Sequence, residues 1–180
     1  MHMSFRRFRE LRGALGGAAV LMLAASTSSC NYTFAGGGGL PSHIKTVYVA
    51  PIDNRTTQFG LTQEFTERLL DAVRSDLGVQ LAAESEADAT IVAELSRYSD
   101  RAMNFQGVED VGAAVFQRQV TISAQVQIID RTRNEVIYNG TSISGDGEYS
   151  PDDPSGETTG QDVALDNLVQ KIMDGAQSQW

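Results

Sequence analysis

The most constraining feature of the chain is a strict alternation of apolar and polar residues from Gln119 to Ile128. Successive side chains of a β-strand point to opposite faces of a sheet, so this pattern predicts a strand with one buried and one solvated face. Antiparallel sheets commonly show that division, because one of their faces can be left to water. The apolar positions are Val120, Ile122, Ala124, Val126 and Ile128.

Two other stretches have the spacing of amphipathic helices. From Leu61 to Leu77 apolar residues recur every four positions until Gly78, and from 162 to 176 they again recur at helical spacing. The polar segment 130–135 predicts a hairpin connection after the alternating strand. Shorter runs rich in β-branched residues predict the remaining strands, at 45–50, 90–98 and 136–144.

These elements predict an α+β fold in the order β-α-β-β-β-α. A helix with one apolar stripe and a strand with one apolar face each need a covering layer. We therefore expect a two-layer α/β sandwich, with two helices packed on one face of a largely antiparallel four-stranded sheet. Residues 99–113 are predicted as a loop or an irregular strand extension, and the acidic, Gly- and Pro-containing residues 145–160 as an exposed loop.

The N-terminus has the three parts of a secretory signal peptide. Residues 6–12 carry four arginines, residues 14–25 form an apolar run, and small residues at 26–29 lead to Cys30. As a helix the apolar run would rise only about 18 Å, which is short of the roughly 30 Å of a bilayer core. We therefore predict a cleaved signal peptide over residues 1–29.

The cysteine at the expected cleavage point resembles the lipobox cysteine of bacterial lipoproteins, which is acylated and becomes the new N-terminus. Thr27 stands where an aliphatic residue is usual, and an ordinary signal peptide with an incidental cysteine is the alternative. Several acyl chains anchor a protein stably where one does not. With four consecutive glycines in the stretch that follows, residues 30–43 are predicted as a lipidated Cys30 and a flexible tether, ahead of one domain at 44–180.

Charge and composition restrict the function classes. The whole chain has 14 basic and 23 acidic residues, and removal of residues 1–29 leaves 10 basic and 22 acidic ones, a formal charge of −12. Because neutralising phosphates needs a basic surface, this balance argues against nucleic-acid binding. One cysteine and two histidines leave little material for a zinc site or a catalytic triad. We predict no cofactor, no metal and no enzymatic activity.

Two groups of residues offer weak candidates for chemistry. Ser42 and His43 are adjacent, but a nucleophile and its base need support in space that adjacency in sequence does not provide. Acidic residues within 146–157 could hold a divalent cation, yet they lack the spacing of a calcium loop, and a solvated loop is the favoured interpretation. The acids concerned are Asp146, Glu148, Asp152 and Asp153.

Short sequence segments spread along the chain resemble those of a known protein family. They are Cys30–Phe34, Leu40–Val47, Asn54–Thr57, Leu61–Arg68 and Gly147–Tyr149. In their order along the chain and in their residues, these segments resemble the LptE family of LPS-assembly lipoproteins.

The resemblance implies a fold, a location and partners. Members of that family are outer-membrane lipoproteins that face the periplasm, with two helices on a sheet. They sit inside the LptD β-barrel and assist the insertion of LPS into the outer leaflet. For this chain the resemblance implies a lipid anchor at Cys30, an LptD-like barrel as partner, and LPS as ligand. The basic positions with which the family contacts LPS do not align clearly, so none is transferred.

Arginines supply a separate hypothesis for the LPS contact. Arg131 and Arg133 lie in the predicted hairpin tip, and guanidinium groups match the phosphates and carboxylates that lipid A and core sugars carry. We predict that this tip, with Arg118, contacts LPS; two arginines that merely keep a hairpin soluble are the alternative.

A second function stays open. Outer-membrane lipoproteins that activate a peptidoglycan synthase also place a small α/β domain on a flexible tether. The glycine-rich stretch before residue 44 is compatible with that class as well.

Overall fold

The fold is built on three long strands and two helices, and the computed structural model describes residues 39–108 and 112–179. These belong to one unit, Gly37–Trp180. The predicted signal peptide 1–29 and Cys30 lie outside the described residues. The elements are β1 (Thr46–Val49), β2 (Asp53–Asn54), α1 (Leu61–Ser75), β3 (Gln80–Leu81), a 3-10 turn (Glu84–Glu86), β4 (Ala89–Val108), β5 (Gly112–Asp130), β6 (Glu135–Tyr149) and α2 (Gly156–Gln177).

The six strands form one mixed sheet in the order β3-β1-β4-β5-β6, with β2 also paired to β4. The long strands β4, β5 and β6 run antiparallel as two successive hairpins. β1 is parallel to both β3 and β4, and β2 is parallel to β4. Parallel neighbours need a long connection, and α1 provides it between β1 and β3.

The predicted α+β class, element types and two helices are confirmed, whereas the predicted sheet of four largely antiparallel strands is wrong in detail. β2 and β3 have two residues each, which is too short for alternation to show in the sequence. They add two parallel pairings to the edge of the antiparallel core. The residues predicted as a possible extension, 99–113, are mostly strand: they lengthen β4 and β5.

Both helices cover the same face of the sheet. The alternating apolar residues of β5 are all buried, and they meet the inward residues of β4 and the apolar stripes of the helices in one core. The α1 stripe consists of Leu61, Phe65, Leu69 and Val73, all fully buried. The opposite face, here called the open face, carries the polar residues of the alternation, as the sequence predicted.

Helix α2 begins at Gly156, well before the predicted start at residue 162. Its first two turns contain glycines that a sequence pattern assigns to a loop, but these glycines let the helix approach β6 closely. A methyl group on Gly147 would overlap the carbonyl oxygen of Gly160. The predicted loop 145–160 therefore shrinks to residues 150–155, between β6 and α2.

The molecule has two ends that recur below. The tether end comprises residues 39–45, the turn 131–134 between β5 and β6, and the C-terminal ends of both helices, where Gln177 packs on Gly39. The far end comprises the N-terminal ends of both helices, the loop 150–155 and the adjoining parts of β4, β5 and β6.

Candidate functional site

The tether end is organised around the buried carboxylate of Asp130, the last residue of β5. Its side chain is 0% exposed, and one oxygen lies 2.6 Å from Nε2 of His43. The other oxygen accepts the backbone N–H groups of Thr132 at 2.8 Å and Arg133 at 3.0 Å. Asp130 therefore links the start of the domain to the turn between β5 and β6.

Electrostatics favours the charged form of this carboxylate. Burial alone would raise the pKa of Asp130, but the hydrogen bonds from His43 and from the N–H groups of Arg133 and Thr132 outweigh it and lower the pKa. Asp88 lies at the same end, and its pKa is lowered by the backbone N–H groups of Lys45 and Thr46. Two ionised carboxylates therefore hold residues 43–46, which lead into β1.

Part of the predicted tether 30–43 belongs to this end. Leu40 is only 8% exposed and is part of the core, and His43 reaches Asp130 across 87 positions of sequence. Within the described residues, Ser42 makes no hydrogen bond to the imidazole of His43. The adjacent Ser42 and His43 therefore do not form a nucleophile and base pair here.

The turn at the tether end presents the two predicted arginines. Arg131 is exposed, and Arg133 lies 3.9 Å from Glu135, a long contact between two exposed side chains. Asn134 closes the turn with φ +54°, a left-handed conformation that asparagine tolerates better than most residues. Both guanidinium groups are accessible to an anion from solvent.

Arg118, the third predicted residue, lies elsewhere. It is twelve residues along β5 from Asp130, roughly 40 Å away at the rise of a strand, and it belongs to the far end. The structure therefore brings Arg131 and Arg133 together but separates Arg118 from them.

Arg118 is held in a network at the far end. Its Nε lies 3.1 Å from Oδ1 of Asp100 and donates to the hydroxyl oxygen of Tyr149 at 2.9 Å, and its Nη2 donates to Asp100 at 3.0 Å. The Tyr149 hydroxyl donates in turn to Asp100 at 2.7 Å. Hydrogen bonds to Asp100, then to Tyr149, raise the pKa of Arg118, so the guanidinium stays charged and paired.

A register shift in β4 creates this network. Leu95 pairs with Ala124 and Arg97 with Ser123, so Ser96 is an extra residue that reverses the alternation. As a result Asp100 faces the same side as Arg118. Tyr98, which alternation predicts on the side opposite Leu95, packs instead against the core.

The network borders a pocket of about 470 Å³ between the sheet and the loop before α2. Tyr98 donates a hydrogen bond at 3.1 Å to Glu157, one of the lining residues, and burial, then that bond, raises the pKa of Tyr98. Asp153 accepts the N–H of Ser155 at 2.9 Å, which lowers the pKa of Asp153. The lining residues are Asp100, Arg118, Tyr149, Pro151, Asp153, Pro154 and Glu157.

The open face carries a second arginine pair that the sequence pattern did not single out. Arg97 pairs with Ser123 and Arg101 with Gln119, which places both guanidinium groups on the open face about 13 Å apart. Neither has an ion-pair partner among the side chains that the structure describes. Without knowledge of the shift at Ser96, the side to which these arginines point could not be predicted.

Three of the four acids predicted as possible metal ligands, Asp146, Glu148 and Asp153, accept hydrogen bonds from neighbouring groups. Asp146 accepts the hydroxyl of Thr121 at 2.7 Å, and Glu148 accepts the amide of Gln117. Across residues 39–108 and 112–179, no three histidine, cysteine, aspartate or glutamate side chains group as metal ligands. In that same part of the chain, no helix is long and apolar enough to cross a bilayer.

Comparison with known families decides the classification. The family model described as LptE, lipopolysaccharide-assembly, matches residues 44–176, which include both helices almost completely and the whole sheet. The chain belongs to the LptE family. The family match begins at the residue predicted to start the domain. No curated protein matches the chain.

Solved structures share the fold of this LptE-family chain at low identity. An uncharacterized lipoprotein from Nitrosomonas europaea superposes with a TM-score of 0.54 at 14% identity, covering 83% of this chain and 93% of its own. A protein from Xanthomonas campestris gives 0.53 at 8% identity, covering 76% and 85%. A hypothetical protein from Chlamydia trachomatis gives 0.51 at 13% identity, covering 75% and 99%. At these identities the likeness concerns the fold alone.

Proposed function

We propose that the protein is a non-enzymatic outer-membrane lipoprotein that assists LPS assembly by plugging and supporting an LptD-like β-barrel and by binding LPS. The observation that carries the proposal is the LptE family match over residues 44–176. The fold supports it, because two helices on a sheet are what the resemblance implies for the family. The domain is held at the periplasmic face by acyl chains on Cys30 and reaches its partner from there.

The anchor and the tether end fit together in this proposal. Eight residues, 31–38, lie between Cys30 and the first described residue, and the nine chain steps span at most about 32 Å. Gly39 and Leu40 pack at the tether end, so this end is held close to the membrane. LPS is a membrane lipid, and the exposed Arg131 and Arg133 lie at the same end.

We assign the LPS contact to Arg131 and Arg133 because both are accessible at the tether end. Their planar donors match the phosphates and carboxylates of LPS. Arg118 remains a weaker contact in the proposal, since its Nε and Nη2 are already bonded to Asp100 and Tyr149.

The LPS contact is tested by charge reversal at the two positions. Arg131→Glu with Arg133→Glu should weaken LPS binding about tenfold or more, since each charge-assisted bond contributes about 1.5–3 kcal/mol. The matched control is Arg97→Glu with Arg101→Glu, which makes the same charge change on the open face. Equal LPS affinity in the wild type and the tip variant would contradict the assignment, and a loss confined to the control would move the site to the open face.

The alternative function is activation of a peptidoglycan synthase by the same kind of tethered domain. Depletion in the native organism separates the two. We expect LPS at the cell surface to fall while peptidoglycan crosslinking stays normal. Normal surface LPS with reduced crosslinking would reject LPS assembly in favour of synthase activation.

A further inference from the structure

The loop between β2 and α1, residues 55–60, is held rigidly by one side chain. The amide of Asn54 donates to the carbonyl oxygen of Gln58 and to the hydroxyl of Thr62, both at 3.0 Å. Its carbonyl oxygen accepts the backbone N–H and the hydroxyl of Thr56, both at 2.8 Å. The four hydrogen bonds of the Asn54 side chain therefore fix this loop and join it to the start of α1.

Arg55 ties the loop to the sheet. Its backbone N–H donates to the carbonyl oxygen of Leu95 at 2.9 Å, and its guanidinium pairs with Glu94 at 2.9 Å. Residues on both sides of the loop are thus attached to β4 and to the start of α1. The loop is preorganised before any partner arrives.

This rigid loop presents an aromatic side chain to solvent. Phe59 is 88% exposed, the highest value among the large apolar residues that the structure describes. Exposing a phenyl ring forgoes the stabilisation that its burial in the core would contribute. A loop fixed by hydrogen bonds cannot fold the ring back into the core, so the exposure is built into the structure.

The surroundings of Phe59 have the composition of an interface centre. Residues 57–63 contain no charged side chain, although 37 of the 180 residues of the chain are charged. The centres of protein interfaces are depleted of charge and enriched in aromatic residues. Gly60 has an ordinary φ of −64°, and a methyl group there would meet nothing within 4 Å, so neither backbone conformation nor packing within the domain requires a glycine. Because Gly60 has no side chain, it leaves the neighbouring ring of Phe59 accessible.

We propose that Phe59 is the anchor of a protein-binding surface formed by residues 57–63, which inserts into an apolar pocket with an uncharged, hydrogen-bonding rim on the partner. The inference deepens the proposed function and rests on it, because that function supplies the protein partner. Buried aromatic anchors on rigid supports carry a large share of binding energy, since little conformational entropy is lost when they dock.

The position of Phe59 in the fold favours a protein over a lipid surface. Phe59 precedes the first turn of α1, whose 15 residues rise about 22 Å towards the tether end. The chain leading to Cys30 leaves from the opposite end, beside Gln177. Phe59 therefore lies away from the end at which that chain joins the domain, and residues 57–63 lack the Lys and Arg that segments bound to a membrane surface carry.

The first test measures partner recovery with the acylated full chain, affinity-purified from its native membranes. Phe59→Ala should reduce the recovery of the partner barrel at least tenfold, while Phe59→Trp should retain it. The matched control is Val136→Ala, which truncates another exposed apolar residue, 54% exposed, at the tether end. Thermal unfolding should be unchanged in each variant, because none of these side chains is buried. Asn54→Ala should give an intermediate loss, since the loop then loses its fixed shape.

A second test uses a photo-crosslinking amino acid at position 59 or at position 136 in living cells. A barrel adduct at 59 that is absent at 136 supports the inference. Equal barrel recovery by wild type and Phe59→Ala, or a lipid adduct at 59, overturns it. Failure of the proposed function gives a different result, because the wild type itself then recovers no barrel.

Discussion

The tether end is held together around a buried carboxylate, whereas the far end presents an exposed aromatic side chain. Asp130 is fully buried, and its two oxygens are satisfied by His43 and the turn that follows β5. Phe59 at the other end is almost fully exposed, and Asp100 and Arg118 line an open pocket. The difference teaches that the hydrogen bonds of Asp130 close the domain at the tether end, whereas those of Asn54 hold an apolar ring in solvent at the far end.

A substitution that disturbs the packing of α2 against β6 should cause the largest loss in the free energy of unfolding. Gly147→Ala forces a methyl group into the backbone of α2 at Gly160, and the helix must shift away from the sheet. We expect a loss of about 3 kcal/mol in the free energy of unfolding, measured by urea denaturation. Gly60→Ala is the control, since a methyl group there meets no atom, and its effect should stay within about 0.5 kcal/mol. Similar losses in both variants would reject close backbone approach as the cause.

Removal of the buried charge of Asp130 at the tether end should cause the second-largest loss in the free energy of unfolding. Asp130→Asn keeps the shape of the side chain but weakens its bonds to His43 and to the turn, at a cost of about 2 kcal/mol. Hydrogen exchange should show the added opening in residues 39–45 and 131–134 and leave the far end protected. Uniform loss of protection over the whole domain would contradict a local role.

Low pH should destabilise the tether end as well. The pKa of Asp130 is lowered in the folded protein, so its ionised form adds stability above the unfolded value of about 3.9 and loses it as the pH falls through the folded value. Wild-type stability should therefore fall more steeply below about pH 4 than that of Asp130→Asn. Stability measured from pH 7 to pH 2 checks this, and parallel curves would show that Asp130 does not contribute.

The far-end network should show the smallest effect. Asp100→Asn weakens the bonds to Arg118 and Tyr149, but these side chains are only partly buried, so the cost should be about 1 kcal/mol or less. Urea denaturation alongside Asp130→Asn tests the ranking directly. A larger loss for Asp100→Asn would reverse the contrast between the two ends.

Local patterns predict much of the fold because their physical causes are local. The alternation of 119–128 appears as the buried and open faces of β5, and the stripe from Leu61 appears as the buried face of α1. The short strands β2 and β3 escape prediction, since two residues show no period. The first turns of α2 escape it because their glycines serve contact with Gly147, which is distant in sequence.

The sites depend on longer-range relations. His43 and Asp130 are 87 positions apart, so nothing local pairs them. The side to which Asp100 points is reversed by the extra residue Ser96, and that reversal creates its contact with Arg118. The sequence supports no prediction at Phe59, because the exposure of its ring follows only from the structure and from the hydrogen bonds of Asn54 that hold the loop.

Capture of the native complex is the decisive experiment for the proposal that this chain works with an outer-membrane barrel in LPS assembly. The full chain, tagged at its C-terminus and extracted from native membranes in mild detergent, would be purified and its partners identified by mass spectrometry. We expect recovery of a large LptD-like β-barrel in stoichiometric amount. Recovery of a peptidoglycan synthase without any barrel would contradict it.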